Sequence, residues 1–260
     1  MTKDTCHRHP SPHQAIAVTL QGLESTIHDT HSPTAPPPLT GWRLAREIAG
    51  VGQIARLVVR APVLLRTARG NGTPVVVVPG FGAGDGSTVL LRHYLSLIGY
   101  EVTGWGLGRN RGNVRRLIPR VTALAVDRAT STGRSVHLVG WSLGGYLARE
   151  AARERPDAVA QVVTLGSPVV GGPKYTATAT AYRRAGYDLE VIEATVAERN
   201  KTPIQVPITA IFSRSDLVVD WRACIDQTSP SVDHVEVSTT HLGLGFCPEV
   251  YRTIAERLAR

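Results

Sequence analysis

Residues 137–150 read HLVGWSLGGYLARE. Gly140, Ser142 and Gly144 form a G-x-S-x-G run between an apolar stretch and an amphipathic one. The spacing has a mechanical reason. A sharp strand-to-helix turn projects the serine hydroxyl from the end of a sheet, and a side chain at either glycine would meet neighbouring backbone. The following helix aims its N-terminus at the same point, where negative charge is stabilised. The chemistry on offer is nucleophilic attack by Ser142.

A serine nucleophile needs a base to take its proton and an acid to orient the base. On a strand–turn–helix elbow they follow in the order serine, acid, histidine. After the apolar run PITAIFS comes RSDLVVDW, which offers Asp216 and Asp220. Asp216 lies nearer the strand's carboxyl end, where ligands and reacting groups collect in an open sheet, and is the preferred acid. Two histidines lie further on. His234 opens the last apolar stretch, at the wrong end. His241, in STTHLGLG, follows that stretch and is the candidate base.

The run VVVVPGFGAGDG (75–86) could bring backbone close to a phosphate or to a carbonyl oxygen. A dinucleotide fingerprint would need its third glycine where Asp85 stands, and a P-loop would need a lysine that is absent there. With Ser142 as nucleophile, the N–H of Leu143 is one oxyanion donor. A loop after an earlier strand supplies the second, and the Phe81 N–H is best placed. This reading needs no cofactor and no metal.

On VVVVPGFGAG, LVGWSLGG, VVTLGSPVVG, FSRSDLVV and HLGLG, in that order, the sequence resembles the α/β-hydrolase superfamily over about residues 73–260, most closely its lipase and esterase branch. The stretch TLGSPVVGG (164–172) is especially lipase-like. Pro79-Gly80 stands where many lipases have His-Gly, a histidine outside the catalytic set. The resemblance implies ester hydrolysis through an acyl-enzyme on a small-molecule or lipid ester. An acyltransferase or thioesterase would use the same three residues. A non-catalytic binding protein of this fold would need none of them.

The elements that must position these residues alternate strand and helix from Thr73 onward. They give an α/β chain with a mostly parallel, doubly wound sheet. Strands are read in PVVVVPG, EVTGWGL, SVHLVG, AVAQVVTLG, PITAIFS and HVEVST. Residues 167–206 break the rhythm and read as a small cap or lid insertion carrying Tyr175, Tyr182, Tyr187, Val191 and Ile192. Residues 41–65 read as a helical segment of the main domain (41–260). Trp42, Ala45, Ala49 and Gly52 recur at helix spacing, as do Leu44, Ile48, Val51 and Ala55, with Arg43, Glu47 and Arg56 on the remaining faces; the segment is expected to dock on the core, the alternative being that it covers an apolar pocket. Residues 1–40, rich in Pro, Ser, Thr and His, read as a disordered tail. Its five histidines fit a solvated polar segment better than a metal site.

The formal charge is +8, carried by 29 Lys and Arg against 21 Asp and Glu. The arginines are dispersed and lack interleaved aromatics, so no nucleic-acid partner is expected. No secretory leader or membrane span is read, which points to the cytoplasm, with transient contact at a lipid surface still compatible. Cys6, Cys224 and Cys247 suit a reducing compartment. Cys224 and Cys247 follow the acid and the base closely enough for a disulfide to be the alternative to two buried thiols.

Overall fold

The computed structural model describes residues 32–67 and 69–260. Six strands form one sheet: β1 (Pro74–Val78), β2 (Glu101–Gly104), β3 (Val136–Trp141), β4 (Val159–Leu165), β5 (Ile208–Phe212) and β6 (Val232–Glu236). Their order is β2-β1-β3-β4-β5-β6, and all neighbours are parallel. Parallel strands need crossovers that cover both faces, which is why β1 and β3 are buried along their whole length. Val75 and Val77 point into one core with Val139, Val163 and Ile211. Val76 and Val78 point into the other with Leu138 and Val162. That alternation is the period of two of a pleated strand.

The helices are α1 (Gly41–Ala49), α2 (Gln53–Leu64), α3 (Val89–Leu97), α4 (Val114–Thr132), α5 (Leu143–Glu154), α6 (Ala179–Arg184), α7 (Leu189–Asn200), α8 (His241–Leu244) and α9 (Pro248–Leu258). Leu91, Leu95, Val250 and Ile254, from α3 and α9, fill the first core. Val121 and Ala125 of α4 and Leu147 and Ala151 of α5 fill the second. The chain leaves β1 for β2 on one side and reaches β3 on the other, so the crevice between the carboxyl ends of β1 and β3 is the switch point of the sheet.

Residues 167–206 carry a 3₁₀ turn (Gly172–Tyr175), α6 and α7 before β5 resumes the alternation. This segment is stitched to the acid-bearing loop by an antiparallel bridge between Thr176 and Val219. Residues 33–40 run without helix or strand, and the Thr34 N–H donates to Asp220 Oδ2 at 2.7 Å. The rest of the expected tail, with its five histidines and Cys6, lies outside the described residues.

The segment α1–α2 docks, but through neither of its apolar rows. Glu47 is fully buried, whereas Leu44, Ile48 and Val51 are exposed. The disulfide alternative also falls. Cys224 and Cys247 are free, buried thiols in different core clusters. Burial pushes both thiols up, Cys247 to about 11.

Candidate active site

Ser142 sits between β3 and α5 with φ 54° and ψ −123°, the only described non-glycine residue at positive φ. The two flanking glycines allow the turn. A Cβ at Gly140 would lie 2.4 Å from the Gly144 carbonyl, and one at Gly144 would lie 2.2 Å from the Val78 carbonyl. The Ser142 N–H donates to the Leu165 carbonyl at 2.8 Å, which fixes the turn to the end of β4.

Gly166 follows directly, and a Cβ there would lie 3.0 Å from both Asp216 Oδ2 and His241 Nδ1. The acid–base pair therefore meets the serine turn at the end of β4. His241 Nδ1 is 2.6 Å from Asp216 Oδ2. Asp216 Oδ1 accepts the Val218 and Val219 N–H groups, each at 2.8 Å, so the carboxylate is fully engaged and its Oδ2 is aimed at the ring. Asp220 plays another part. Its side chain accepts the Arg222 N–H and the Thr34 contacts, capping the turn at Trp221–Cys224. His234 Nε2 accepts the Asp226 N–H, away from the pair.

Burial alone would lower the His241 pKa. The Asp216 carboxylate beside it and the more distant Glu47 outweigh burial and raise the pKa above the ordinary histidine value. Trp141 packs beside the ring, with centroids 6.3 Å apart. Among the described residues no hydrogen bond joins the Ser142 hydroxyl to His241; such bonds often form fully only with substrate in place.

The N–H groups of Phe81 and Leu143 are both open. Phe81 makes no backbone hydrogen bond among the described residues, and Leu143 is the first residue of α5, whose first turn has no intrahelical acceptor. The loop 79–83 is held by buried Asn110, a residue that the sequence reading passed over. Asn110 Nδ2 donates to the Pro79 carbonyl at 2.9 Å, its N–H to Ala83 and its carbonyl accepts from Gly82. Asp85 is occupied by the N–H groups of Trp105 and Gly106, at 3.0 and 3.1 Å. Such a carboxylate is the wrong charge to line a phosphate cradle.

Glu47 is the second residue missed. Oε1 accepts the Leu217 N–H at 2.8 Å and the His241 N–H at 3.3 Å, and Oε2 accepts the Leu242 N–H at 3.0 Å. One carboxylate thus bolts the acid loop to the base loop. Ser213 does the same from the sheet side, donating to the Thr239 carbonyl at 2.5 Å.

Ser142 lies on the wall of a cavity of about 410 Å³. Phe81, Leu143, Tyr182, Tyr187, Val191 and Ile192 give it an apolar lining. Phe81 and Tyr187 flank Tyr182 with ring centroids 5.5 Å away in both cases. The 167–206 segment therefore supplies much of the wall. Among the described residues, no group of three or more His, Cys, Asp and Glu is placed to hold a metal. No described helix is long and apolar enough to cross a membrane.

A sequence profile of the alpha/beta hydrolase fold matches residues 73–217. No curated protein matches. Among solved structures, the chain is similar to the monoacylglycerol lipase of Paleococcus ferrophilus, with a TM-score of 0.56 at 16% identity over 74% of this chain and 96% of that one. It is also similar to Est1E of Butyrivibrio proteoclasticus, with a TM-score of 0.55 at 16% identity over 73% and 90%. The putative non-heme bromoperoxidase BpoC of Mycobacterium tuberculosis H37Rv gives 0.52 at 17% over 73% and 92%. At these identities the likeness is one of fold, and the neighbours' chemistries differ.

Proposed function

The chain belongs to the alpha/beta hydrolase fold family, and on that premise we propose that it hydrolyses carboxylic esters through an acyl-enzyme on Ser142. The observation that carries the reading is the strained Ser142 turn on the wall of an apolar cavity, with the Asp216–His241 pair at the same strand ends.

In this mechanism the ester's acyl chain enters the cavity and its carbonyl oxygen turns toward the N–H groups of Phe81 and Leu143. Ser142 Oγ attacks the carbonyl carbon while His241 Nε2 takes its proton. Asp216 holds the ring by Nδ1 and stabilises the imidazolium; it does not itself become protonated. The oxyanion gathers charge on the N–H groups of Phe81, in the loop after β1, and of Leu143, at the head of α5, where the helix end adds its partial positive charge. His241 passes its proton to the leaving alcohol. Water, deprotonated by the same nitrogen, then releases the acid and restores Ser142.

The cavity's size and apolar wall support an acyl group of several carbons rather than a charged acid. The test is a panel of nitrophenyl esters from acetate to palmitate, run beside a serine-directed phosphonate. Ser142→Ala is expected to abolish phosphonate labelling and to lower kcat by several orders of magnitude. Labelling retained at the wild-type rate would refute the assignment.

A further inference from the structure

We propose that the outer face of the α1–α2 segment docks on an anionic lipid surface. The proposal stands on that face alone and does not depend on the ester-hydrolase reading.

Leu44, Ile48, Val51, Ala55, Val58 and Pro62 recur at 4,3,4,3,4 spacing along α1, the 3₁₀ turn Gly50–Gly52 and α2, and all six residues are exposed. Ile48 is 54% and Val58 67% exposed. Core docking would turn such a stripe inward. Here the segment faces the protein through Glu47, Gly50 and Leu64 instead. A continuous apolar stripe left to water is the pattern of a surface with a partner.

The charges choose the occupant. Residues 41–69 contain six arginines and one acid, Glu47. That acid is spent inward on three backbone N–H groups, so the segment shows water no negative charge. Arg56 reaches Glu249 of α9 at 3.6 Å. Arg46, Arg60 and Arg66 form no ion pair among the described residues. An exposed apolar stripe on a segment whose other faces carry exposed arginines and no outward acid suits the boundary between acyl chains and anionic headgroups. A second copy seated face to face would bring the same arginines together in a desolvated interface, where like charges repel.

Flotation of the full chain with vesicles tests this, using phosphatidylcholine alone and phosphatidylcholine with 30% phosphatidylglycerol. Binding is expected to the mixed vesicles, at least tenfold weaker to the neutral ones, and weakened by 0.5 M NaCl. The double variant I48S/V58S, altered only at exposed positions, should lose at least tenfold in binding. It should keep the wild-type melting temperature and the rate on a water-soluble nitrophenyl ester. R46Q/R60Q should lose binding together with part of the salt dependence. No binding of the wild type to either vesicle overturns the proposal. So does wild-type binding in the folded I48S/V58S variant. A dimer in sedimentation equilibrium that I48S/V58S dissociates also overturns it, assigning the face to a second copy.

Discussion

Glu47 and His241 are 194 positions apart in the chain, yet the Glu47 carboxylate accepts the backbone N–H of His241 at 3.3 Å. The contact ties the helix preceding the sheet to the candidate base that follows its last strand. It also places a second negative charge behind the imidazole that Asp216 already faces.

Glu47→Gln keeps the shape but turns an N–H donor toward groups that are themselves donors. The loops carrying Asp216 and His241 then lose part of their common anchor. A roughly 10- to 100-fold fall in kcat is expected from the misplacement, with KM little changed. A purely structural role would lower the melting temperature and leave the pH profile in place. Here the acid limb of kcat/KM should also move to lower pH, because a charge that raises the His241 pKa has been removed.

His241 must be neutral to act as a base. Its pKa lies above the ordinary histidine value, so kcat/KM should rise with pH through a value above about 6.5. Asp216→Asn removes the main causes of the rise and leaves burial, which acts the other way. The limb should shift down and kcat should fall by roughly three to four orders of magnitude. Asp220→Asn should leave the limb where it is and cost at most about 1 kcal/mol as a weakened cap. A pH–rate series on both variants checks the pair.

Ile192 lines the cavity beside the tyrosines of the 167–206 segment. Excising that segment would break the Thr176–Val219 bridge and disturb the acid loop. A point change is cleaner. Ile192→Trp should fill the acyl space, lowering kcat/KM for long esters at least tenfold while acetate is nearly unaffected. An unchanged profile across the nitrophenyl panel would remove this cavity from the acyl path.

Arg149 of α5 and Asp226 form a buried pair, with Arg149 Nη1 2.7 Å from Asp226 Oδ2. It secures the helix whose N-terminus faces Ser142. Burial works against the Asp226 charge, but Arg149 and the Thr228 and Ser229 donors hold its pKa well below the usual carboxylate value. A depressed pKa makes the stabilisation fully present above the unfolded value near 4 and lost as pH falls further. Asp226→Ala should cost about 3–5 kcal/mol at pH 7 by stranding the arginine. The difference from wild type should shrink in urea melts taken below about pH 4.

The serine turn was legible because its causes are local. Gly140 and Gly144 stand where any side chain would strike backbone, and that collision leaves a mark in five residues. The parallel sheet was legible because strands alternate with helices from Thr73 onward, with β1 an unbroken apolar run and β3 interrupted only by His137. Asp216 and His241 were found through chain order and strand ends, both one-dimensional properties. Glu47 left no such mark. Its acceptors serve N–H groups from loops about 170 and 194 positions away, and on a helical projection it looks like one more solvent-facing charge. The same projection marked two apolar rows, both of which lie exposed, because periodicity identifies a face without saying which neighbour it meets. Asn110 was hidden for a related reason: its partners in residues 79–83 belong to a loop it reaches only in three dimensions.

Ser142 holds a backbone conformation in which glycine would rest without strain. Such positions cost on the order of 1–3 kcal/mol. Ser142→Gly should therefore melt higher than wild type while being inert. Under the proposed function, selection for folding alone would favour the loss of this serine, and a lineage that ceased to need the reaction would drift toward a sturdier, silent protein. The persistence of a serine there in any descendant sequence would be a record that its chemistry was still in use.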